Sequence, residues 1–238
     1  MRIALVGYGK MGKTIESLAK QRGHEISFII DQNNHLDIQK IASENTDIAI
    51  EFSQPISALN NIKVLLNNGV KTLVGTTGWL EHYDEVVDLC RSYNGTFLYA
   101  SNYSIGVNLF FELNEWLAQK MRKLNQFSPS MEEIHHTQKL DAPSGTAITL
   151  AEGIIHNNDK INSWVNENTN SVDVLPIISK REGQVPGTHT VNYASPLESI
   201  EIKHTAHDRK VFAEGVIIVA EWATHQTGVL SIKDFINS

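Results

Sequence analysis

Residues Arg2 to Gly12 read RIALVGYGKMG. The first five form a short apolar run, as a buried parallel strand does. Gly7-x-Gly9-x-x-Gly12 follows at once, and Ile15, Leu18 and Ala19 then recur on one helical face. A bare G-x-G-x-x-G is weak, but strand, glycines and helix in that order are what a dinucleotide site requires. Gly7 permits the tight turn, Gly9 lets the backbone approach a pyrophosphate, and Gly12 lets the helix pack on the strand. A second strand, Glu25 to Ile30, ends at Asp31, 24 residues after Gly7 and placed to accept hydrogen bonds from ribose hydroxyls.

The alternation continues outward. Asp47 to Phe52 reads as a strand, Ser57 to Leu66 as a helix, and Thr72 to Val74 as a strand. A helix follows near Leu80 to Arg91, then a strand at Thr96 to Ala100. Repeated strand–helix units predict an α/β chain whose parallel sheet carries helices on both faces. Ligands in such sheets lie beyond the carboxyl ends of the strands, where loops 52–55, 75–78 and 100–104 begin. Their small polar residues let backbone groups reach a nicotinamide carboxamide. Asp31 repels a 2′-phosphate, and Gln32 stands where an NADPH site would place Arg, yet Lys10 could still reach a phosphate. The cofactor expected is therefore NADH or NADPH, with NADH slightly favoured.

A long helical pattern from Val107 to Leu124 carries Leu109, Phe110, Leu113, Trp116 and Leu117 as an apolar stripe, expected to be core. Beyond it Ser130 to His136, Val172 to Ser179, Gly187 to Ala194 and Ser199 to Thr205 alternate as half-buried strands do. They predict a smaller α/β domain with an open mixed or antiparallel sheet, and self-association is a natural way to cover its free face. The asparagine-rich stretch 157–171 reads as a loop, and Val211 to Thr224 as an apolar helix that returns to the first domain. The division expected is 1–105 with 208–238 for the dinucleotide, and 106–207 for substrate and oligomerisation.

The chemistry is densest at Glu133 to Thr146, EIHHTQKLDAPSGT. On a strand His135 and His136 point to opposite faces. Lys139 can join His135 only if the chain turns after Thr137. Pro143-Ser144-Gly145-Thr146 then enters a helix, and three N–H groups with two hydroxyls form an anion cradle. A lysine, two imidazoles and a cradle suit a small substrate bearing carboxylates, with proton donors at neutral pH.

Composition narrows the classes. Of 238 residues, 41% are apolar, enough for a proper core, and the formal charge of −7 speaks against a general nucleic-acid binder. The single cysteine, Cys90, excludes an internal disulfide and a Cys-cluster zinc site, and its apolar helical neighbours make it a buried thiol. Neither signal-peptide anatomy nor an apolar run of membrane-spanning length is present, so the cytoplasm is the expected compartment.

VGYGKMG, FSQP, GTTG, SNYSIGVN, EIHHTQKLDAPSGTA, REG followed by GTHTV, and IEIKHTAHDRKVFAEG occur in this order from Val6 to Trp222. Together they resemble the dihydrodipicolinate reductase family of diaminopimelate and lysine biosynthesis. The resemblance implies a Rossmann-like domain, a homotetramer formed through the open sheet, and hydride transfer from NAD(P)H to 4-hydroxy-tetrahydrodipicolinate with loss of water. It makes His135 the proton donor and has Lys139 donate beside it and hold a carboxylate. His136 would bind substrate, with Ser144, Gly145 and Thr146 around the second carboxylate. Gly7, Lys10, Met11 and Gly12 would meet the pyrophosphate, Asp31 the ribose, and Gly75, Thr77, Ser101 and Tyr103 the nicotinamide. Other readings of the residues stay open: another nicotinamide dehydrogenase, a non-catalytic nucleotide sensor, or a zinc hydrolase built on His135, His136, His189, His204 and His207. The last lacks an acidic ligand set in the sequence, and no metal is expected.

Overall fold

A computed structural model describes residues 1–238. In chain order it begins with β1 (Arg2–Val6), α1 (Lys10–Gln21), β2 (Glu25–Ile30), β3 (Ile48–Glu51), α2 (Pro55–Asn67), β4 (Lys71–Val74), α3 (Tyr83–Ser92) and β5 (Thr96–Tyr99). Then come α4 (Ile105–Met121), β6 (Ser128–His135), α5 (Gly145–Asn157), β7 (Ser163–Val165), β8 (Val174–Arg181), β9 (Gly187–Ala194) and β10 (Ser199–Ala206). The chain closes with α6 (Lys210–Ala223), β11 (Gly228–Leu230) and α7 (Ile232–Ile236). It divides into two compact units, Met1–Ile105 with Lys210–Ser238, and Gly106–Arg209.

The first unit is built on a six-stranded sheet in the order β11-β5-β4-β3-β1-β2, parallel throughout. Successive side chains on a strand face opposite ways. Ile3 and Leu5 of β1 therefore join a core with Ile15 and Ala19 of α1 and Val216, Ile217 and Ala220 of α6. Ala4 and Val6 pack on the other side with Ile30, Ile38 and Leu65. Burial on both faces is why the strand lacks polar alternation. β2 lies on one side of β1 and β3 on the other, so strand order reverses at β1, and a ligand crevice opens beyond the carboxyl ends of such a pair. Cys90 is fully buried on α3, beside Trp79, Val86 and Phe97. No helix is long and apolar enough to cross a membrane.

The second unit is a five-stranded sheet in the order β10-β9-β6-β8-β7. β8 runs parallel to β6 and β7, while β9 is antiparallel to β6 and β10, so the sheet is mixed. One face, with Met131, Ile177, Val191 and Tyr193, is covered by Phe110 and Leu117 of α4 and Leu150 and Ile154 of α5. The opposite face presents Glu132, Ile134, Ile178 and Thr190, none of them fully buried.

Several expectations need correction. Of the apolar stripe on α4, only Phe110 and Leu117 are buried; Leu109, Leu113 and Trp116 are 49%, 46% and 56% exposed. The buried face is centred instead on Val107, Phe110, Asn114, Leu117, Ala118 and Met121. Asn114 fits there because it donates to the Leu150 carbonyl at 2.9 Å, and a side chain at Gly153 would lie 3.2 Å from its amide. A polar residue therefore sits where helix meets helix, which displaces the apolar pattern. The stretch 157–171 is not wholly a loop: α5 runs to Asn157, and β7 adds an edge strand through Trp164. Val172 is 90% exposed and precedes β8, which extends to Arg181. β11 and α7 have no signature in the sequence, since three and five residues are too short to establish a period.

Candidate active site

In the first unit the glycine loop joins β1 to α1. Gly7 has φ +97 and donates to the Ile30 carbonyl at 2.9 Å. A Cβ on Gly7 would stand 2.2 Å from the Phe52 carbonyl oxygen, and one on Gly12 would stand 2.3 Å from the Gly7 oxygen. Both are backbone contacts, so neither position admits a side chain without moving the loop. Beside Gly9 there is open space, and Gly9 caps α1 without a side-chain hydrogen bond. The first turn of a twelve-residue helix thus has no side-chain cap and open space beside Gly9, the arrangement a pyrophosphate needs. Lys10 is exposed and Met11 half-buried at the same turn. The Asp31 carboxylate is fixed at the end of β2 by the Asn33 N–H at 2.7 Å, while Asn34 accepts from the Asp31 N–H.

At the carboxyl ends of β4 and β5, Thr77 and Ser101 are exposed and Gly75 half-buried. A Cβ at Gly75 would meet the Phe52 ring at 2.2 Å, so the two loops touch only because Gly75 is bare. Tyr103 differs from expectation. Its side chain is 2% exposed and its hydroxyl donates to the Val74 carbonyl at 3.0 Å. Burial pushes its phenol well above the ordinary value. Its side chain is core, and its hydroxyl is committed to the Val74 carbonyl rather than free for the expected contact with a nicotinamide. Glu51, at the end of β3, is also fully buried, bonded to Ser53 and Asn61, and its carboxyl is raised by burial.

In the second unit Glu133 and His135 are two residues apart on β6, so both point to the inner face. Glu133 is fully buried and His135 is 8% exposed, whereas His136 lies half-buried. His136 lines a separate pocket of about 380 Å³ with Gln138, Gln184, Pro186, His207, Asp208 and Arg209. The Glu133 carboxylate sits 3.5 Å from His135 Nε2 and 3.7 Å from His189 Nε2. It accepts the Ser144 N–H at 3.0 Å and Arg181 Nη2 at 3.2 Å. Burial alone would raise this carboxyl, but His135, His189 and Ser144 outweigh it and hold it far below the usual range. The two imidazoles meet Nε2 to Nε2 at 3.2 Å, with His135 Nδ1 on the Pro186 carbonyl at 3.2 Å. A Cβ at Gly187 would come within 2.9 Å of the His135 ring, so the bare glycine makes room for the imidazole.

After β6 the chain turns, with the Lys139 N–H on the His136 carbonyl at 3.1 Å. Lys139 pairs with the Asp141 carboxylate at 2.7 Å. Arg181 ties this loop down, reaching the Lys139 carbonyl at 3.2 Å and that of Asp141 at 2.5 Å. Ser144 caps α5, accepting the Ala147 N–H at 3.2 Å, and contacts His189 at 3.1 Å. Its N–H is spent on Glu133, so the expected three-residue cradle shrinks. Ser144 is 2% exposed and faces inward, which leaves the N–H groups of Gly145 and Thr146 and the Thr146 hydroxyl at the helix start. An internal carboxylate has taken the third place.

From the sequence Glu133 and Arg181 carry no assigned role and His189 stands only as a possible zinc ligand, although all three lie in or beside diagnostic runs. Only pairing of β6 with β8 and β9 brings them together, Glu133 opposite Ser179 and His189, and His135 opposite Arg181. The histidines therefore do have an acidic neighbour, contrary to the sequence expectation. Ligand atoms of Glu133, His135 and His189 lie within 4.8 Å of one another, close enough to hold a small cation. Arg181 and Ser144 already occupy the carboxylate, so the cluster is an ion-paired, hydrogen-bonded site, and we assign it no metal.

Comparison with known proteins places the chain. Residues 1–103 match the family described as dihydrodipicolinate reductase, N-terminus, and residues 106–236 its C-terminus. A 4-hydroxy-tetrahydrodipicolinate reductase of Christiangramia forsetii is 45% identical over all of this chain and 98% of its own. The chain belongs to the dihydrodipicolinate reductase family. A solved family member, the dipicolinate-bound dihydrodipicolinate reductase from Paenisporosarcina sp. TG-14, superposes with TM-score 0.78 at 22% identity, covering 97% of each chain. Aspartate dehydrogenase from Thermotoga maritima gives TM-score 0.53 at 12% identity, over 93% of this chain and 95% of its own, a likeness of fold alone. Membership in the reductase family, whose members use NAD(P)H, disfavours the zinc hydrolase and the sensor.

Proposed function

We propose that this chain reduces 4-hydroxy-tetrahydrodipicolinate to tetrahydrodipicolinate with NAD(P)H, in diaminopimelate and lysine biosynthesis. The observation that carries the proposal is a buried pair of imidazoles on a carboxylate, beside a lysine and a helix start, in a chain of this reductase family. The glycine loop fits the cofactor: Gly7, Lys10, Met11 and Gly12 hold the pyrophosphate, Asp31 the ribose, and Gly75, Thr77 and Ser101 the nicotinamide side. When bound, the reduced nicotinamide supplies a hydride. Once the 4-hydroxyl has left as water, hydride addition to the resulting conjugated ring leaves negative charge there, and a positioned acid must quench it. His135 gives that proton. Lys139, released from Asp141, binds one carboxylate, and Gly145 and Thr146 receive the other at the start of α5. His136 and its pocket, with Arg209, complete the recognition of a dicarboxylate.

NADH is the favoured coenzyme, since the Asp31 carboxylate, held at the end of β2 by the Asn33 N–H, would repel a 2′-phosphate. A homotetramer is proposed through the half-exposed outer face of the β6–β10 sheet, and the cytoplasm as its location, consistent with the unpaired Cys90.

A coupled assay tests the function. Pyruvate, aspartate semialdehyde and the preceding synthase generate the substrate, and loss of reduced-nicotinamide absorbance is followed with NADH and NADPH in parallel. Consumption requiring both proteins supports the proposal; none, with NADH still bound, overturns it. In the same assay Lys139→Met is expected to lower kcat about 100-fold and raise substrate KM at least about tenfold, since a charge-assisted bond to carboxylate is lost. An unchanged KM would remove Lys139 from carboxylate binding.

A further inference from the structure

His135 does not stand alone, and its surroundings dictate how it holds a proton. The Pro186 carbonyl can only accept, so the facing Nδ1 of His135 carries hydrogen. The proton that comes and goes therefore sits on Nε2, the nitrogen 3.2 Å from His189 Nε2. Two lone pairs facing each other at that distance repel, so in the neutral pair one proton lies between the rings. His189 is 4% exposed and its Nδ1 has no partner. An unpaired N–H in that position costs more than a lone pair, so in the neutral pair His189 donates through Nε2.

A further proton makes the pair a cation inside the protein, which is costly without a counter-charge. Glu133 is that counter-charge, fully buried and within 3.7 Å of both rings. We propose that Glu133 and His189 are positioning residues of the acid: in the protonated pair both Nε2 atoms carry hydrogen, and Glu133, 3.5 and 3.7 Å from them, accepts from both and balances the charge. On transfer the N–H bond at His135 breaks. The electron pair left on the substrate by hydride addition forms the new C–H bond, and the imidazole pair returns to neutral.

Other charged groups bear on the pair. From β8, Arg181 shares the Glu133 carboxylate; from the following loop, Lys139 is neutralised by Asp141; from β10, His204 lies opposite His189. Burial lowers His189, and Glu133 raises it in return. The cost of the buried cation makes the proton releasable, and Glu133 offsets part of that cost.

This inference rests on His135 as proton donor, which His135→Gln tests separately. The experiment is the pH profile of kcat, with substrate KM and NADH affinity, for the full chain carrying Glu133→Gln, Glu133→Asp or His189→Asn. In Glu133→Gln the alkaline limb of kcat is expected to move down by about one pH unit, the scale of a single charge interaction. At pH 8 kcat falls about tenfold or more, while KM and NADH affinity change less than about threefold. Glu133→Asp restores part of the loss, and His189→Asn lowers kcat about tenfold with KM held. If Glu133→Gln does not melt cooperatively, His189→Asn decides: a normal kcat and an unmoved limb overturn the proposal. An inactive His135→Gln beside unaltered Glu133→Gln and His189→Asn overturns this proposal alone. An active His135→Gln overturns the donor assignment beneath it.

Discussion

His135→Gln lowers kcat by about 10²- to 10⁴-fold, the contribution of one positioned general acid, or about 3–5 kcal/mol of barrier. NADH affinity stays within about twofold of the parent in a fluorescence titration, because the glycine loop and Asp31 belong to the other unit. His135 is held by Pro186, His189 and Glu133 and packs over Gly187, so glutamine fills similar space without offering a titratable proton. Single-turnover kinetics separate the step from product release. Near-normal turnover would mean that Lys139 or solvent supplies the proton.

Gly7→Ala abolishes NADH binding and destabilises the chain by about 2–5 kcal/mol. Two terms add. A non-glycine residue at φ +97 is strained by about 1–2 kcal/mol, and its methyl group would overlap the Phe52 carbonyl, an overpacking of about 1–3 kcal/mol. Relief moves the loop after β3 and with it the glycine cradle. Thermal melting reads the first effect and NADH titration the second. A variant that melts like the parent and still binds NADH would show that this turn tolerates a side chain, against the geometry at Gly7.

The cofactor half of the molecule is legible because its determinants are local. A strand, three glycines and a helix are consecutive, and an apolar run with helical spacing after it admits few other folds. The strands of the second unit are legible for the same reason, through alternation. The buried face of α4 is not, because Asn114 is accommodated only by the bare Gly153 of α5. Tyr103 misleads for a similar reason: a hydroxyl in a polar loop looks available until the Val74 carbonyl takes it.

The catalytic run shows the limit most clearly. His135, Lys139 and the start of α5 lie within a dozen residues, so chemistry type and substrate charge can be read from the sequence. The acid's environment comes from Glu133, Arg181 and His189, on three strands, with 48 residues between Glu133 and Arg181. What the sequence alone determined is the fold class, the nucleotide loop and the family, because each depends on short-range pattern. What only the tertiary structure decided is which N–H groups at Ser144 are already used and which carboxylate stands under His135. Strand register sets both, and register is a contact between segments far apart in the chain.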